Sequence, residues 1–396
     1  MKSTITDILT RGVENIIPSR EKLEQALESG KKLNVYLGID PTATNIHIGH
    51  AVPLRKLQAL AELGHHVIFL IGDFTALIGD TSDKDTERPV LTTEQIQQNF
   101  ETYKKQAEKI LDFSQVTVVF NSEWLRELTF ADIIKLTQHF SAGEFVGREL
   151  IKKRLAAGKK VGLHELLYPV MQGYDSYFMD TDIQLGGTDQ TFNMQAGRVL
   201  QRDLRDKESF ILANGFLAGT DGRKMSKSWG NAIWLADSPD EMFGKIMSLN
   251  DDLIINYFQL STSLSLAEIG DVEERLKTEN PMILKKELAH QIVLELHSRE
   301  EADLAQANFE KTVQQKEIPT EMETLTLRNS DSIRLLDLVK QALPDESSGN
   351  LRRLIEQGGV ELLPNGEQPT DLNLMVEVKD LEVIKIGKRK YFKVVV

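Results

Sequence analysis

The chain has 396 residues, of which 41% are hydrophobic and 27% charged, which is ordinary for a globular protein of two or three domains. It has no cysteine, which excludes disulfides, thiolate nucleophiles and cysteine-ligated zinc, and its eight histidines are too scattered to predict a structural metal site. The net charge of −13 argues against indiscriminate nucleic-acid binding, but it permits selective RNA binding through grouped basic residues. We find no apolar run of membrane-spanning length and no signal-peptide core, so we expect a cytosolic protein with no membrane partner.

The first half of the chain alternates strand-like and helix-like segments. Strands are predicted where apolar residues run together or alternate, and helices where they recur every three or four residues. In chain order we predict a helix at 19–29, a strand at 32–37, a helix at 48–63, a strand at 66–71, a helix at 93–111, a strand at 116–120, a helix at 163–178, a strand at 182–185, a helix after 188 and a strand at 210–213. This pattern predicts an α/β fold with a doubly wound parallel (Rossmann-like) sheet in residues 1–235, interrupted by a helical insertion at about 122–162.

The second half changes character twice. Residues 236–328 are predicted as an α-helical domain that ends in a polar link at 320–329, and residues 332–396 as a small α+β domain. Within the last domain we predict helices at 332–343 and 351–360 and strands near 374–378 and 381–386. Residues 332–396 have ten basic and ten acidic residues, so the rest of the chain carries the whole net negative charge. This difference in charge indicates that residues 332–396 form a separate module.

The first motif that indicates chemistry is His47-Ile48-Gly49-His50. Asp40-Pro41 stops the preceding strand, because proline removes a donor and disfavours helix before it. The histidines therefore lie at the start of a helix, where free N–H groups and the dipole favour an anion. Gly49 leaves room for a flat ring against the backbone. Alone, this motif is more often a cap or a packing feature than a site.

The second motif is Lys224-Met225-Ser226-Lys227-Ser228, which follows Gly222. Two lysines and two serines on a loop supply the cationic and hydroxyl donors that a polyphosphate needs. An exposed basic loop is the ordinary alternative, but the two motifs together favour phosphate chemistry. The familiar glycine-rich phosphate loops are absent from the sequence.

The two motifs resemble the signatures of class I aminoacyl-tRNA synthetases. More narrowly, the chain resembles the bacterial tyrosyl-tRNA synthetases with the standard lysine loop over essentially its whole length. The further matching motifs are Asp40-Pro41-Thr42-Ala43, Leu77-Ile78-Gly79-Asp80, Tyr168-x3-Gln172-Gly173-Tyr174-Asp175 and Gln184-Leu185-Gly186-Gly187-Thr188-Asp189-Gln190. This resemblance implies a ligase that activates L-tyrosine with ATP, releases pyrophosphate and transfers the tyrosyl group to the terminal ribose of tRNA(Tyr).

The resemblance also implies roles for individual residues. It assigns stabilisation of the transferring phosphoryl group to Thr42, His47, His50, Lys224 and Lys227. It assigns ATP binding to Gly38, Asp40, His47, Gly49, His50, Lys84, Arg88, Gly187, Asp189, Lys224, Met225, Ser226, Lys227 and Ser228. It assigns the substrate phenol to Tyr36 and Asp175, the substrate ammonium group to Tyr168, Gln172 and Asp80, and further tyrosine contacts to Gln184 and Gln190.

The residues themselves support part of this assignment. On a helix, Tyr168, Gln172 and Asp175 share one face. Each alone could be an ordinary core aromatic or capping residue. Asp189 and Gln190 follow a glycine pair at a helix start, where capping competes with binding of ribose or substrate carboxylate.

Two basic regions are candidates for RNA contact. Arg148, Lys152 and Arg154 belong to a cluster in the insertion, for which a solvated charged helix face is an equal alternative. The last module resembles a small RNA-binding fold of ribosomal proteins, which makes Arg352, Arg353, Lys388 and Arg389 candidates for phosphate contact. The segment Ser347-Ser348-Gly349-Asn350 departs from the usual pattern of that fold.

The resemblance further implies a homodimer and Mg²⁺ that arrives with ATP, with no zinc and no organic cofactor. Three alternatives stay open at this point. A tryptophanyl-tRNA synthetase shares both signatures, and a non-catalytic synthetase-like RNA-binding protein shares the fold. A simple nucleotidyltransferase is disfavoured by the helical and tail modules, which a large RNA partner explains.

Overall fold

The computed structural model describes residues 4–42, 44–79, 92–226, 229–311, 322–327, 332–344, 346–387 and 390–395. The chain divides into two compact units, Met1–Asp237 with Ser248–His297, and Ser238–Met247 with Ser298–Val396. The three predicted domains, 1–235, 236–328 and 332–396, stay a prediction that this division does not decide.

A six-stranded sheet forms the centre of the first unit. Its strands are β1 Val13–Ile17, β2 Asn34–Ile39, β3 His66–Ile71, β4 Val116–Phe120, β5 Ile183–Gly187 and β6 Phe210–Asn214. They lie in the order β1-β6-β5-β2-β3-β4, in which β2 to β6 are parallel and β1 pairs antiparallel with β6. The predicted α/β fold with a Rossmann-like parallel sheet is confirmed. The edge strand β1 is not predicted from the sequence.

Helices connect the parallel strands and continue after the sheet. They are α1 Ile5–Thr10, α2 Arg20–Glu28, α3 Ile48–Glu62, α4 Thr93–Ala107, α5 Ser122–Leu125, α6 Phe130–Thr137, α7 Ala142–Val146, α8 Glu149–Ala156, α9 Leu163–Phe178, α10 Thr191–Arg205, α11 Pro239–Met247, α12 Ile254–Ser261, α13 Leu266–Leu276, α14 Pro281–Leu296 and α15 Arg299–Phe309. The short helices α5 to α8 fill the predicted insertion. In the described part of the chain, no helix combines the length and the apolar character needed to cross a bilayer.

The order of the strands determines where a ligand can bind. From β2, the chain moves to β3 and β4 on one side, and it later returns to β5 and β6 on the other. The loops that follow β2 and β5 therefore diverge and leave a crevice at the carboxyl ends of the strands, the usual ligand position in such sheets.

The carboxy-terminal part of the second unit combines two sheets with two helices. Strands β7 Glu323–Thr326, β9 Val360–Leu363, β11 Val383–Ile386 and β12 Lys390–Val395 form one sheet in the order β7-β12-β11-β9. Strands β8 Ser332–Arg334 and β10 Met375–Glu377 form the other, and the helices are α16 Leu335–Ala342 and α17 Ser348–Glu356. Leu335, Leu338, Ile355 and Ile384 are fully buried in the core between them.

Three predicted segments in the carboxy-terminal part of the chain need correction. The helix predicted at 332–343 begins at Leu335, because residues 332–334 pair with β10 instead. The helix predicted at 351–360 ends at Glu356, and Val360 begins β9. The polar link predicted at 320–329 contains β7, and β12 is not predicted.

Candidate active site

A cleft of about 1080 Å³ opens at the carboxyl ends of β2 and β5. Sixteen of the predicted site residues line it: Tyr36, Gly38, Asp40, Thr42, His47, Gly49, His50, Tyr168, Gln172, Asp175, Gly187, Asp189, Gln190, Lys224, Met225 and Ser226. The remaining predictions for ATP and tyrosine, apart from Gln184, lie outside the described residues: Asp80, Lys84, Arg88, Lys227 and Ser228.

One end of the cleft is a buried polar pocket between β2 and α9, which we call the phenol end after the ligand that the resemblance predicts there. Its two groups are Tyr36, which is 2% exposed, and Asp175, which is 1% exposed. The Asp175 carboxylate accepts hydrogen bonds from Trp124 Nε1 at 2.7 Å and Asn121 Nδ2 at 3.1 Å. Burial, reinforced by the charges of two nearby aspartates, raises the pKa of Asp175 to about 7, and burial beside Asp175 also raises the pKa of Tyr36.

Gln184 was predicted to contact tyrosine, but it lies behind the wall of the phenol end. Its side chain is fully buried, and its Oε1 accepts a hydrogen bond from the Tyr36 hydroxyl at 3.2 Å. Its Nε2 donates to the backbone carbonyl of Met194 at 2.9 Å, so the amide orientation is fixed from both sides. Gln184 therefore orients Tyr36 in this structure.

Helix α9 presents Tyr168, Gln172 and Asp175 to the cleft at the spacing i, i+4 and i+7. The Tyr168 hydroxyl donates to Asp40 Oδ2 at 2.8 Å, which anchors the middle of the cleft to the end of β2. Asp40 follows β2 directly, so the strand and the helix hold opposite walls of the same pocket.

A hydrogen-bonded chain of side chains supports both carboxylates. The Thr75 hydroxyl donates to Asp40 Oδ1 at 2.7 Å, and Asn121 Nδ2 donates to Thr75 Oγ1 at 3.0 Å as well as to Asp175. Thr75, Asn121 and Trp124 are not among the residues predicted from the sequence. Asn121 does carry a signal, because it is a polar residue at the carboxyl end of a predicted parallel strand, where site residues collect.

The opposite end of the cleft holds the two histidines. His47 immediately precedes α3 and His50 lies in its first turn, and their rings stack with centroids 3.8 Å apart. A Cβ atom at Gly49 would lie 2.9 Å from His47 Nδ1, so glycine is required there by the histidine ring itself. The prediction that a flat ring can lie against the backbone at Gly49 stays a prediction.

Both histidines are held in the neutral form. Burial, followed by the proximity of His50 and Lys224, lowers the pKa of His47 to about 3. The His50 ring lines the cleft and is in part accessible to solvent. The protein around it removes much of its hydration, and this desolvation, followed by the charge of Lys224, lowers the pKa of His50 to about 4. Near pH 7 the rings therefore act as neutral hydrogen-bonding groups.

Backbone pairing brings the lysine segment to the histidines. Ile48 N donates to the carbonyl of Ile233 at 2.9 Å, and Leu235 N donates to the carbonyl of Ile46 at 2.9 Å. Lys224 Nζ lies 5.7 Å from the centroid of the Phe216 ring at the wall of the cleft. The two motifs therefore meet at one end of the cleft, which we call the phosphate end.

The basic residues of the insertion do not form one surface. Arg154 is 3% exposed, and its guanidinium donates to Glu165 at 2.6 and 3.1 Å and to the Lys160 carbonyl at 2.8 Å. A guanidinium buried in this way cannot reach an RNA phosphate, so we correct the prediction for Arg154 and assign it a structural role. Lys152 is exposed, and Arg148 lies over the Phe192 ring.

In the last module, Arg352 and Arg353 are exposed on α17. The divergent segment before them still caps this helix, because Ser347 Oγ accepts from Asn350 N at 3.3 Å. Asn350 Oδ1 in turn accepts from Arg353 at 2.7 Å. Lys388 and Arg389 lie outside the described residues. Within the ranges that the structure describes, no three His, Asp or Glu side chains gather where they could hold a metal ion.

The family model of class I tRNA synthetases (W and Y) matches residues 28–314. A protein named tyrosine–tRNA ligase from Dehalococcoides mccartyi is 42% identical over 100% of this chain and 99% of its own length. The chain belongs to the tyrosine–tRNA ligase family. A tyrosine–tRNA ligase of Thermotoga maritima is 40% identical over 98% of this chain and 96% of its own.

Solved structures show the same fold in other tyrosine–tRNA ligases. The tyrosyl-tRNA synthetase of Archaeoglobus fulgidus, solved with L-tyrosine, aligns with a TM-score of 0.60 and 24% identity over 76% of this chain and 98% of its own. A truncated mitochondrial enzyme of Aspergillus nidulans aligns with a TM-score of 0.65 and 22% identity over 78% of this chain and 94% of its own. The predicted family and its ATP-dependent ligase function are confirmed.

Proposed function

We propose that this member of the tyrosine–tRNA ligase family binds L-tyrosine and ATP in the cleft and joins them as tyrosyl-adenylate. The observation that carries the proposal is the union of two different environments in one cleft. A buried pair of oxygen groups, Tyr36 and Asp175, suits a phenol, and neutral His47 and His50 beside Lys224 suit phosphates.

Tyrosine would lie with its ring along α9. In the proposed complex its phenol donates to Asp175 and accepts from the Tyr36 hydroxyl, which turns its single proton from Gln184 Oε1 towards the substrate. Phenylalanine would leave these buried polar groups without a partner, and that penalty supports selection for tyrosine. Tyr168 and Gln172 hold the ammonium group in this proposal, and Asp80, which lies outside the described residues, completes its site.

The carboxylate of tyrosine then attacks the α-phosphorus of ATP. A bond forms between a carboxylate oxygen and phosphorus, and the bond from phosphorus to the pyrophosphate oxygen breaks with its electron pair on pyrophosphate. The reaction needs no protein nucleophile, so catalysis rests on positioning and charge stabilisation. Thr42, His47, His50 and Lys224 are the proposed stabilising groups, and Lys227 belongs to the same proposal outside the described residues.

The rest of ATP is assigned to the glycines and polar groups between the two ends. In this proposal the nucleotide contacts are Gly38, Asp40, Gly49, Gly187, Asp189, Met225 and Ser226, with Gln190 beside the substrate carboxylate and Lys84, Arg88 and Ser228 outside the described residues. Mg²⁺ enters as part of the ATP substrate, bound to its phosphates. In the second step, the terminal ribose hydroxyl of tRNA attacks the adenylate carbonyl and AMP leaves.

The proposed RNA contacts are Arg148 and Lys152 in the first unit and Arg352, Arg353, Lys388 and Arg389 in the second. The exposed side chains of Lys152, Arg352 and Arg353 suit phosphate contacts, which contribute affinity without reading sequence. Arg148 is partly buried against the Phe192 ring, and Lys388 and Arg389 lie outside the described residues. A cytosolic location, where tRNA and ATP are supplied, is part of the same proposal.

We also propose a homodimer through the insertion. Phe130 and Ile134 lie one turn apart on α6 and are 78% and 47% exposed, which is unusual for large apolar side chains at this spacing. Light scattering at micromolar concentration should give the mass of two chains for the wild type and of one chain for F130E/I134E. A monomeric wild type would contradict the proposal.

The decisive experiment for function is exchange of labelled pyrophosphate into ATP, with tyrosine, tryptophan and phenylalanine tested separately. Exchange with tyrosine alone is the expected result, because the phenol end is built for a hydroxyl. Exchange with tryptophan would overturn the proposed pocket and keep the reaction. A chain that supports no exchange with any of the three would not be an active ligase.

A further inference from the structure

We propose that Asn231 is a positioning residue that holds the Lys224–Ser226 segment in register with the histidines. The inference rests on the proposed function of the cleft, and it concerns a residue outside the cleft wall. Asn231 is 3% exposed, and it is not among the described residues that line the cleft. Its effect on the reaction must therefore pass through the groups that it holds.

The Asn231 amide uses both of its ends on the lysine segment. Its Oδ1 accepts from Ser226 N at 2.9 Å, and its Nδ2 donates to the Lys224 carbonyl at 3.1 Å. The same Nδ2 donates to Asp221 Oδ1 at 2.8 Å. The buried Asn231 side chain thus joins Asp221, Lys224 and Ser226. Without it, only the local backbone hydrogen bonds would hold this segment in place.

The backbone of Asn231 closes the same ring of contacts. Thr220 N donates to the Asn231 carbonyl at 3.0 Å, while Ala218 and Lys224 form an isolated antiparallel bridge. A Cβ atom at Gly219 would lie 2.4 Å from Asn231 Nδ2, so a side chain at position 219 would displace the amide. The packing therefore requires both the glycine and the asparagine.

Asn231 is also close in sequence to the strand-like segment that pairs with the histidines. Two residues later, Ile233 accepts the hydrogen bond of Ile48, which lies between His47 and His50. The Asn231 amide thus links Lys224 to a backbone that is already fixed to the histidine motif. The separation between the cation and the two rings is set by this short path, and a shift of about 1 Å in such a group can reduce a rate by about a hundredfold.

The test compares N231A with the wild type in pyrophosphate exchange and in tyrosine binding by calorimetry. We expect the exchange rate constant to fall by about 10- to 100-fold, while the Kd for tyrosine and its KM change less than twofold. A purely structural defect would change tyrosine affinity and thermal stability together with the rate.

A double mutant tests whether the effect passes through the lysine. If Asn231 acts by positioning Lys224, K224A/N231A should be no slower than K224A alone, because the positioned group is already lost. Multiplication of the two single effects would overturn the inference. G219A provides a second route to the same displacement and should also lower the rate constant without a loss of tyrosine affinity.

N250A is the matched control. Asn250 is an exposed asparagine that contacts the same loop through its backbone, where Asn250 N donates to the Thr220 carbonyl at 3.1 Å, and alanine preserves that bond. We expect wild-type exchange from N250A. If the wild type exchanges and N231A matches it, the inference fails while the proposed function stands. If the wild type fails to exchange with tyrosine, the proposed function itself fails.

Discussion

The two ends of the cleft shift the pKa values of their groups in opposite directions. At the phenol end, burial raises the pKa of the Asp175 carboxyl group to about 7. At the phosphate end, burial lowers the pKa values of His47 and His50 to about 3 and 4. The phenol end is thus built around one buried acceptor, and the phosphate end around neutral rings next to a cation. The difference teaches that burial lowers charge at both ends, and that the neighbouring groups decide what each end can bind.

The largest expected effect is at the phosphate end. H47A removes a neutral group that contacts the transferring phosphoryl group in our proposal, so the rate constant for adenylate formation should fall by about 10²- to 10³-fold. Rapid-quench measurement of adenylate, with tyrosine affinity as a second reading, checks this. H139A is the control, since that histidine pairs with Asp203 at the surface. An unchanged rate for H47A would remove the histidine from the mechanism.

At the phenol end, D175N should lower kcat/KM for tyrosine by about 10- to 100-fold. The carboxylate accepts from Trp124 and Asn121 and would also accept from the substrate, and one amide oxygen cannot replace all of these contacts. Steady-state pyrophosphate exchange gives the value. The surface variant D203N serves as control, and an equal loss in both variants would contradict a specific role for Asp175.

A smaller change is expected for Y36F, which keeps the ring and removes only the hydroxyl. We expect kcat/KM for tyrosine to fall by about tenfold and kcat/KM for phenylalanine to stay the same, so that the discrimination between the two narrows. Y177F, a change on the partly exposed side of α9, should alter neither value. Discrimination equal to that of the wild type would separate Tyr36 from the substrate hydroxyl.

The smallest expected effect is on the pH dependence of stability, which the two ends of the cleft should change in opposite directions. The folded pKa of His47 lies near 3 and its ordinary value is 6.5, so between these limits the unfolded chain binds more protons and stability rises with pH. The folded pKa of Asp175 lies near 7 and its ordinary value is 3.8, so over that interval its contribution falls as pH rises.

Urea unfolding of three proteins between pH 4 and 6 separates these contributions. H47N should make the slope of unfolding free energy against pH less positive by up to about 1 kcal/mol per pH unit, and D175N should make it more positive by a similar amount. Two variants with slopes that change in the same direction would contradict the contrast between the ends.

Much of the fold follows from local pattern. Strand β3 is predicted from a continuous apolar run, because a strand that is buried on both faces has apolar residues at successive positions. Helix α9 is predicted from apolar residues at every third or fourth position, because only one face of a helix is buried. Strand β1 and the start of α16 are not readable in this way. Val13–Ile17 is a strand because β6 offers an edge, and residues 332–334 leave the helix because β10 pairs with them.

The site also contains residues that can be predicted from the sequence and residues that cannot. Motif residues could be predicted because the family carries them at recognisable spacing. Trp124 and Asn121 could not be predicted to meet at Asp175, since about fifty residues that include the helices α6, α7 and α8 separate them from it in the chain. Arg154 has the same sequence context as its exposed basic neighbours, and only the approach of Glu165 shows that it is buried and paired.

The backbone pairing of residues 46–48 with residues 233–235 also has a consequence for protein engineering. The Thr220–Asn231 hydrogen bond and the Asn231 amide tie Thr220, Lys224 and Ser226 to the same framework. A donor loop of equal length that keeps its glycine and asparagine can be exchanged into it. We expect an insertion next to Ser226 or Asn231 to disturb the contacts that hold Lys224, so libraries for altered nucleotide use should vary the composition of this loop and leave its length unchanged.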